Sequence, residues 1–256
     1  MKVFKLGYFI GVALLSLNIT ISAEVLKNNL PPDCDVSGLA ESNVLAVSWQ
    51  PAFCEMKSQK KECSVTNTNA YQANNFALHG FWPNKSSCGH SYGYCDKNNP
   101  KEKGHCNYKP VPMSQESLAN LGVYMPSAAH GTCLQRHEWY KHGTCQTQRD
   151  ATQYYDMSIR LLKEFNESGI SGYMAQNIGK SVSTKEFFSV VDKSLGEGAH
   201  KKMLIKCYKG MLIDIYISLP KDISKESTLK QLLREVDNNH NNGCGKTFKV
   251  DAIGQN

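Results

Sequence analysis

The apolar positions of this chain fall into two kinds of pattern. Val44-Leu45-Ala46-Val47-Ser48-Trp49 is a short apolar run that stops before Pro51, the pattern of a buried strand. Phe76-Ala77-Leu78 repeats it on a smaller scale and delivers His79-Gly80-Phe81-Trp82-Pro83-Asn84 at its end. Met203–Cys207, Leu212–Ser218 and Thr247–Val250 read as further strands in the last third. The second pattern has the helical period. Tyr154, Met157, Leu161 and Phe165 share one stripe, which predicts an amphipathic helix over Thr152–Glu167 ended by Gly169. Ser114 is an N-cap for a helix that runs to Met125 and stops at Pro126. Ser183-Thr184-Lys185-Glu186 is a capping box opening another, which stops at Gly196, and Leu229–Val236 is a short helical candidate. Helices and strands mix without regular βαβ alternation, and neither an internal repeat nor a linker interrupts them. The pattern predicts one α+β domain.

The polar stretches carry the cysteines. Cys54 and Cys63 bracket a charged loop of the kind a local disulfide closes into a hairpin, and the long segment from Lys85 to Pro112 contains Cys88, Cys95 and Cys106. A loop of that length is credible in a compact domain only when it is tied down. The N-terminus explains how: Lys2 and Lys5, an apolar run from Leu6 to Ile21 and the small residues Ser22-Ala23 read as a secretory signal cleaved after residue 23, leaving 24–256 as the mature domain. Ten cysteines on that route predict disulfides rather than free thiols, with roughly 900 possible complete pairings. A secreted or periplasmic protein is expected, with no membrane attachment once the signal is removed. Cleavage removes two lysines and no acid, taking the formal charge from +6 to +4, an excess that suits a polyanion without identifying one.

Candidate chemistry concentrates in Arg136-His137-Glu138-Trp139-Tyr140-Lys141-His142-Gly143-Thr144-Cys145. On a helix, His137 and Lys141 are four apart, as are Glu138 and His142, so an acid, an ammonium and two imidazoles project from one face. Such a face is costly to bury and suits a phosphoryl group. A zinc-protease register fails, because its histidines must be four apart and these are five apart. Cys88-Gly89-His90 and His105-Cys106 invite a zinc site, but in an oxidising compartment disulfides are the better use of those cysteines. Gly243-Cys244-Gly245-Lys246-Thr247 mimics the end of a phosphate-binding loop, yet the first glycine of that motif would fall at His240. Asn84-Lys85-Ser86 and Asn166-Glu167-Ser168 are glycosylation sequons.

Taken together, Phe76-Ala77-Leu78-His79-Gly80-Phe81-Trp82-Pro83 and His137-Glu138-Trp139-Tyr140-Lys141-His142-Gly143-Thr144-Cys145 closely resemble the two active-site segments of the ribonuclease T2 family. Gly179–Ser183 and Cys244–Phe248 look most like its bacterial ribonuclease I branch. The resemblance implies a central antiparallel sheet flanked by helices. It also implies an endoribonuclease that cuts single-stranded RNA with low base specificity, through 2′,3′-cyclic phosphates to 3′-phosphate ends. Such an enzyme needs no metal or other cofactor, leaves DNA intact and acts as a monomer. Carried over by motif, His79 and His142 match the acid–base pair, with His142 taken as base and His79 as acid, although the sequence does not separate this from the inverse. Glu138 and Lys141 match the transition-state stabilisers, His137 the phosphate-binding histidine and Trp82 an aromatic contacting the base. Asn84 stands where several members carry aspartate in the base pocket, so their base preference does not transfer. The family pattern pairs Cys54 with Cys63, Cys207 with Cys244 and Cys95 with Cys145, and leaves Cys34, Cys88, Cys106 and Cys133 unassigned. A secreted scaffold that binds RNA or a protein without turnover, and a zinc hydrolase built on the Cys/His loop, are the competing readings.

Overall fold

The computed structural model describes residues 33–237 and 239–254, so the proposed signal segment and most of the lead-in to Cys34 lie outside the described residues. The strands are β1 (Ser42–Ser48), β2 (Ala77–Asn84), β3 (Ser181–Ser183), β4 (Met203–Tyr208), β5 (Met211–Pro220) and β6 (Thr247–Lys249). The principal helices are α1 (Gln50–Met56), α2 (Gln115–Tyr124), α3 (Leu134–Lys141), α4 (Ala151–Phe165), α5 (Thr184–Leu195) and α6 (Leu229–Arg234). The fold is α+β, as the pattern predicts.

One sheet organises it. β1 pairs antiparallel with β2 and β5, and β4 pairs antiparallel with β5 on that strand's other side. β6 joins β5 through a parallel contact at Met211 and carries β3, a strand the hydropathy pattern does not announce. Leu45 and Val47 of β1, Trp49 just after it, and Ile213, Ile215, Ile217 and Leu219 of β5 face the core. Their alternates, among them Ser42, Val44 and Ser48 on β1 and Tyr216 and Ser218 on β5, line open grooves instead. A half-solvated antiparallel sheet alternates in this way, and here the solvated face holds the site.

The helices form where their caps allow. Asp150 accepts from Gln153 N–H and Gln153 returns a bond to Asp150, a capping box that starts α4. Ser114 and Ser183 cap α2 and α5. The core-facing side of α4 buries Tyr154, Tyr155, Leu161, Leu162 and Phe165 completely.

Two expectations need correction. β2 does not end at Leu78 but continues to Asn84. It is an edge strand, where Pro83 forfeits no ladder bond that matters. Cys54 and Cys63 are not the ends of a hairpin: Cys54 lies on α1 and Cys63 on a following 3-10 turn. They are joined by a disulfide, and Cys95–Cys145 and Cys207–Cys244 are also bonded. Cys34–Cys88 and Cys106–Cys133 take up the other four cysteines, so no thiol is free. The stretch around Gly243 serves as a tightly packed turn on β4, where a Cβ would collide with the Ile205 carbonyl oxygen.

Candidate active site

His79 owes its place to an irregularity in β2. Gly80 pairs with Ala46 and Leu78 pairs with Val47, so His79 is the unpaired extra residue of a β-bulge. In a regular strand, alternation from Trp82 would send His79 towards the core. The bulge turns it onto the groove side, beside Trp82, while Leu78 stays in the core.

The second segment crosses this face as α3. Cys133, in the left-handed region at φ 63°, starts the helix, and His142 caps its end by donating its backbone N–H to the Glu138 carbonyl. Trp82 Nε1–H donates to Glu138 Oε2 at 2.6 Å. That approach requires Gly80, because a Cβ there would overlap both Glu138 Oε2 and Trp82 Nε1. Gly143 likewise makes room for the Trp139 ring. The loop after the first segment grips the end of α3: Tyr94 N–H donates to the Lys141 carbonyl at 2.8 Å, and Cys95 is bonded to Cys145.

The Trp82 ring contacts both imidazoles. It stacks on His142 with centroids 5.3 Å apart and meets His79 edge-on at 5.4 Å. Tyr216 packs edge-on against it at 5.1 Å. An aromatic expected to contact a base therefore has one face and its N–H already engaged, and only part of it lines the adjoining groove.

Two grooves flank the site. One, of about 290 Å³, is bounded by Trp82, Asn84, Tyr92, Lys141, His142 and Ser218, and the other, of about 210 Å³, by Ser48, Lys57, Lys60, Glu62, His79 and His105. Asn84 is in the first groove with its side-chain N–H donating to Ser42 Oγ at 3.2 Å.

Charge is set by burial and neighbours. Burial raises the Glu138 carboxyl, only 2 % exposed, above the usual carboxylate range, against the opposing pull of His79, Trp82 and Lys141. Burial disfavours the His79 imidazolium, yet a hydrogen bond to Asp214 with the charges of Glu138 and Asp214 outweighs it and lifts its pKa. His137 goes the other way: burial, then repulsion from His105, Lys141, His79 and Lys101, pushes it down to about 3. It stacks on His105 at 4.5 Å.

Of the seven residues singled out by motif, Trp82, Asn84, Lys141 and His142 border the first groove and His79 the second. Glu138 is joined to Trp82 by its hydrogen bond, and His137 lines neither groove but stacks on His105, which borders the second. Sequence reasoning passes over Asp214 and Tyr216, and weighs His105 only as a zinc ligand. The available signal for Asp214 is an acid interrupting the apolar run Leu212-Ile213-Asp214-Ile215. The zinc reading loses its thiolates, since Cys88 and Cys106 are both in disulfides.

A mixed sheet-and-helix domain with histidines on two crossing elements holds groups able to donate and accept protons, and comparison with known proteins gives the class. The model of the ribonuclease T2 family matches residues 41–237, and the chain belongs to that family. It is a T2-type endoribonuclease. It is similar to ribonuclease I of Escherichia coli, 29% identical over 234 residues that cover 82% of this chain and 86% of that protein. Ribonuclease 1 of Arabidopsis thaliana is 28% identical over 150 residues, 58% of this chain and 61% of its own. Among solved structures, the SF11-RNase of Nicotiana alata superposes with a TM-score of 0.52 at 18% identity, covering 83% of this chain and 99% of that one. Actibind, a T2 ribonuclease, gives 0.55 at 15%, covering 90% and 94%. At such identities the superpositions speak for the fold alone.

Proposed function

We propose that the enzyme cleaves single-stranded RNA by transesterification to a 2′,3′-cyclic phosphate and then hydrolyses that ester to a 3′-phosphate. The observation that carries this is the pair of imidazoles in contact with Trp82, each lining its own groove. RNA brings its own nucleophile, so the protein needs only a base, an acid and charge stabilisation. The nucleotide bearing the attacking 2′-hydroxyl occupies the groove of His142, which takes the proton as the 2′-oxygen bonds to phosphorus. The departing nucleoside leaves through the groove of His79, whose proton passes to the 5′-oxygen as the P–O bond breaks. Hydrolysis of the cyclic ester uses the same groups in reverse. The raised His79 pKa favours the acid role for that residue.

Lys141 opposes the extra negative charge on phosphorus, where preorganised charge has its largest effect. Glu138, held by Trp82 and with its carboxyl pushed towards the protonated form, hydrogen-bonds a phosphoryl oxygen. His137 binds phosphate as a neutral donor. Trp82 chiefly fixes Glu138 and His142, and Asn84 contacts the base with the part of its amide that Ser42 leaves open. No metal or other cofactor takes part, DNA is spared for lack of a 2′-hydroxyl, and base preference is low. The chain acts as a monomer in the periplasm or outside the cell after removal of residues 1–23. Five disulfides support that compartment.

The test is incubation of the purified protein with single-stranded RNA in excess EDTA, with identification of the terminal phosphate. Cyclic and 3′-phosphate ends are expected, and H79A and H142A should each abolish cleavage with the fold intact. Intact RNA at every pH from about 4 to 8, or loss of activity with chelator alone, would overturn the reading.

A further inference from the structure

Behind His79 stands a carboxylate that the catalytic motifs do not include. Asp214 lies on β5 directly opposite Ser48 of β1, on the groove face and only 8 % exposed. Its Oδ1 is 3.4 Å from His79 Nδ1 and accepts from Ser48 Oγ at 2.5 Å, while Tyr216 O–H donates to Oδ2 at 3.4 Å. Three strands thus meet in one cluster: β2 supplies the imidazole, β1 a hydroxyl, and β5 the carboxylate and a phenol.

We propose that Asp214 is a positioning residue for His79: it holds the imidazole by Nδ1–H, so that Nε2 faces the scissile phosphate, and it stabilises the imidazolium that must deliver the leaving-group proton. This rests on His79 being the acid of the reaction. No proton moves to Asp214. The Nδ1 proton stays on the ring, the Nε2 proton goes to the 5′-oxygen, and the carboxylate remains ionised throughout.

The arrangement follows from elementary demands. A bulged edge-strand residue has fewer ladder contacts to fix it, so its ring needs an anchor of its own. A buried carboxylate needs partners, and Asp214 has three, whose bonds and the His79 charge outweigh burial and hold its pKa below the usual range. Other groups also act on His79. Glu138, Lys141 and His137 approach from α3, and His105 from the loop that follows Gly104. Lys57, Lys60 and Glu62 line the same groove. Of these, Asp214 alone is within hydrogen-bonding reach of an His79 ring nitrogen among the described residues. Hydroxyl donors on both its oxygens set the direction in which it accepts.

Two measurements decide. Nitrogen-edited histidine NMR of the unaltered enzyme should find neutral His79 as the Nδ1–H tautomer, titrating above 6.5. The pH dependence of kcat on a fluorescent single-stranded oligoribonucleotide should show its basic limb, set by His79, moved down by about one pH unit in D214N, the scale of one neighbouring charge. KM should stay within about twofold, as expected if Asp214 acts through His79 rather than on the substrate. Neutral His79 as the Nε2–H tautomer, or an unmoved basic limb in D214N, would overturn the proposal. If H79A itself keeps near-full activity, the acid assignment fails instead, so the two failures are distinct. The tautomer is read on the parent protein and stands even if D214N does not fold.

Discussion

His137 and His79 are near enough to repel each other when charged, yet their surroundings drive their charges in opposite directions. Burial and a ring of cations push His137 from its ordinary 6.5 down to about 3. Between those values the unfolded chain binds a proton at this residue that the folded chain refuses, so folding stability falls as the pH drops from about 6.5 towards 3. His79, with a raised pKa, has the opposite sign. Its contribution is complete below the unfolded value and is lost as the pH rises through the folded one. Replacing His137 with asparagine should therefore make the acid-side decline in stability shallower between pH 6.5 and 5, as followed by denaturant midpoints. An unchanged slope would assign that decline to other groups. Under the proposed contact of His137 with phosphate, the same substitution should raise KM for RNA, since the shorter asparagine amide donates from a different position.

At the scale of elements, α4 sets the spacing of the site without entering it. Two adjacent tyrosines on its buried side reach different partners: Tyr154 O–H donates to the Phe81 carbonyl on β2, and Tyr155 O–H to the Gln135 carbonyl on α3. The helix thus holds both catalytic segments at once. Y154F and Y155F each leave a buried carbonyl short of a donor, at a cost of about 1–3 kcal/mol. Each should lower the melting temperature by about 2–4 °C per kcal/mol. The double variant should lose kcat beyond the product of the single losses, because both halves are then released; simple multiplication would argue against α4 as the spacer. How much was legible follows the same division. The stripe from Tyr154 to Phe165 and the caps at Ser114 and Ser183 are local signals, and the structure places those helices nearly where the pattern does. The extension of β2 past Gly80 and Pro83 is not local, because it depends on β1 offering an edge. Nor is the pairing of His79 with Asp214, 135 residues away. Two-residue periodicity can say which face Asp214 occupies but not what waits there.

For the whole molecule, the disulfides divide the labour of holding irregular chain. The long segment between β2 and α2 is tied at Cys88 to the N-terminal loop, at Cys95 to the turn after α3, and at Cys106 to the residue before α3. Two of these bonds thus bracket the catalytic helix. Opening Cys95–Cys145 by a paired serine substitution should cost about 2–4 kcal/mol of stability. It should also cost more kcat than opening Cys54–Cys63, since it frees the loop that grips Lys141 through Tyr94. Equal losses in the two variants, compared at a temperature where both are folded, would remove the catalytic helix from the account. The bulge in β2 has a different consequence. Without residue 79, Leu78 and Gly80 would pair with Val47 and Ala46 in an unbroken ladder, and every other side chain of the strand would keep its present face. His79, the proposed acid, is thus, in effect, an insertion into a sheet that would be more regular without it. A regular strand and the proposed proton donor place opposite demands on this single position.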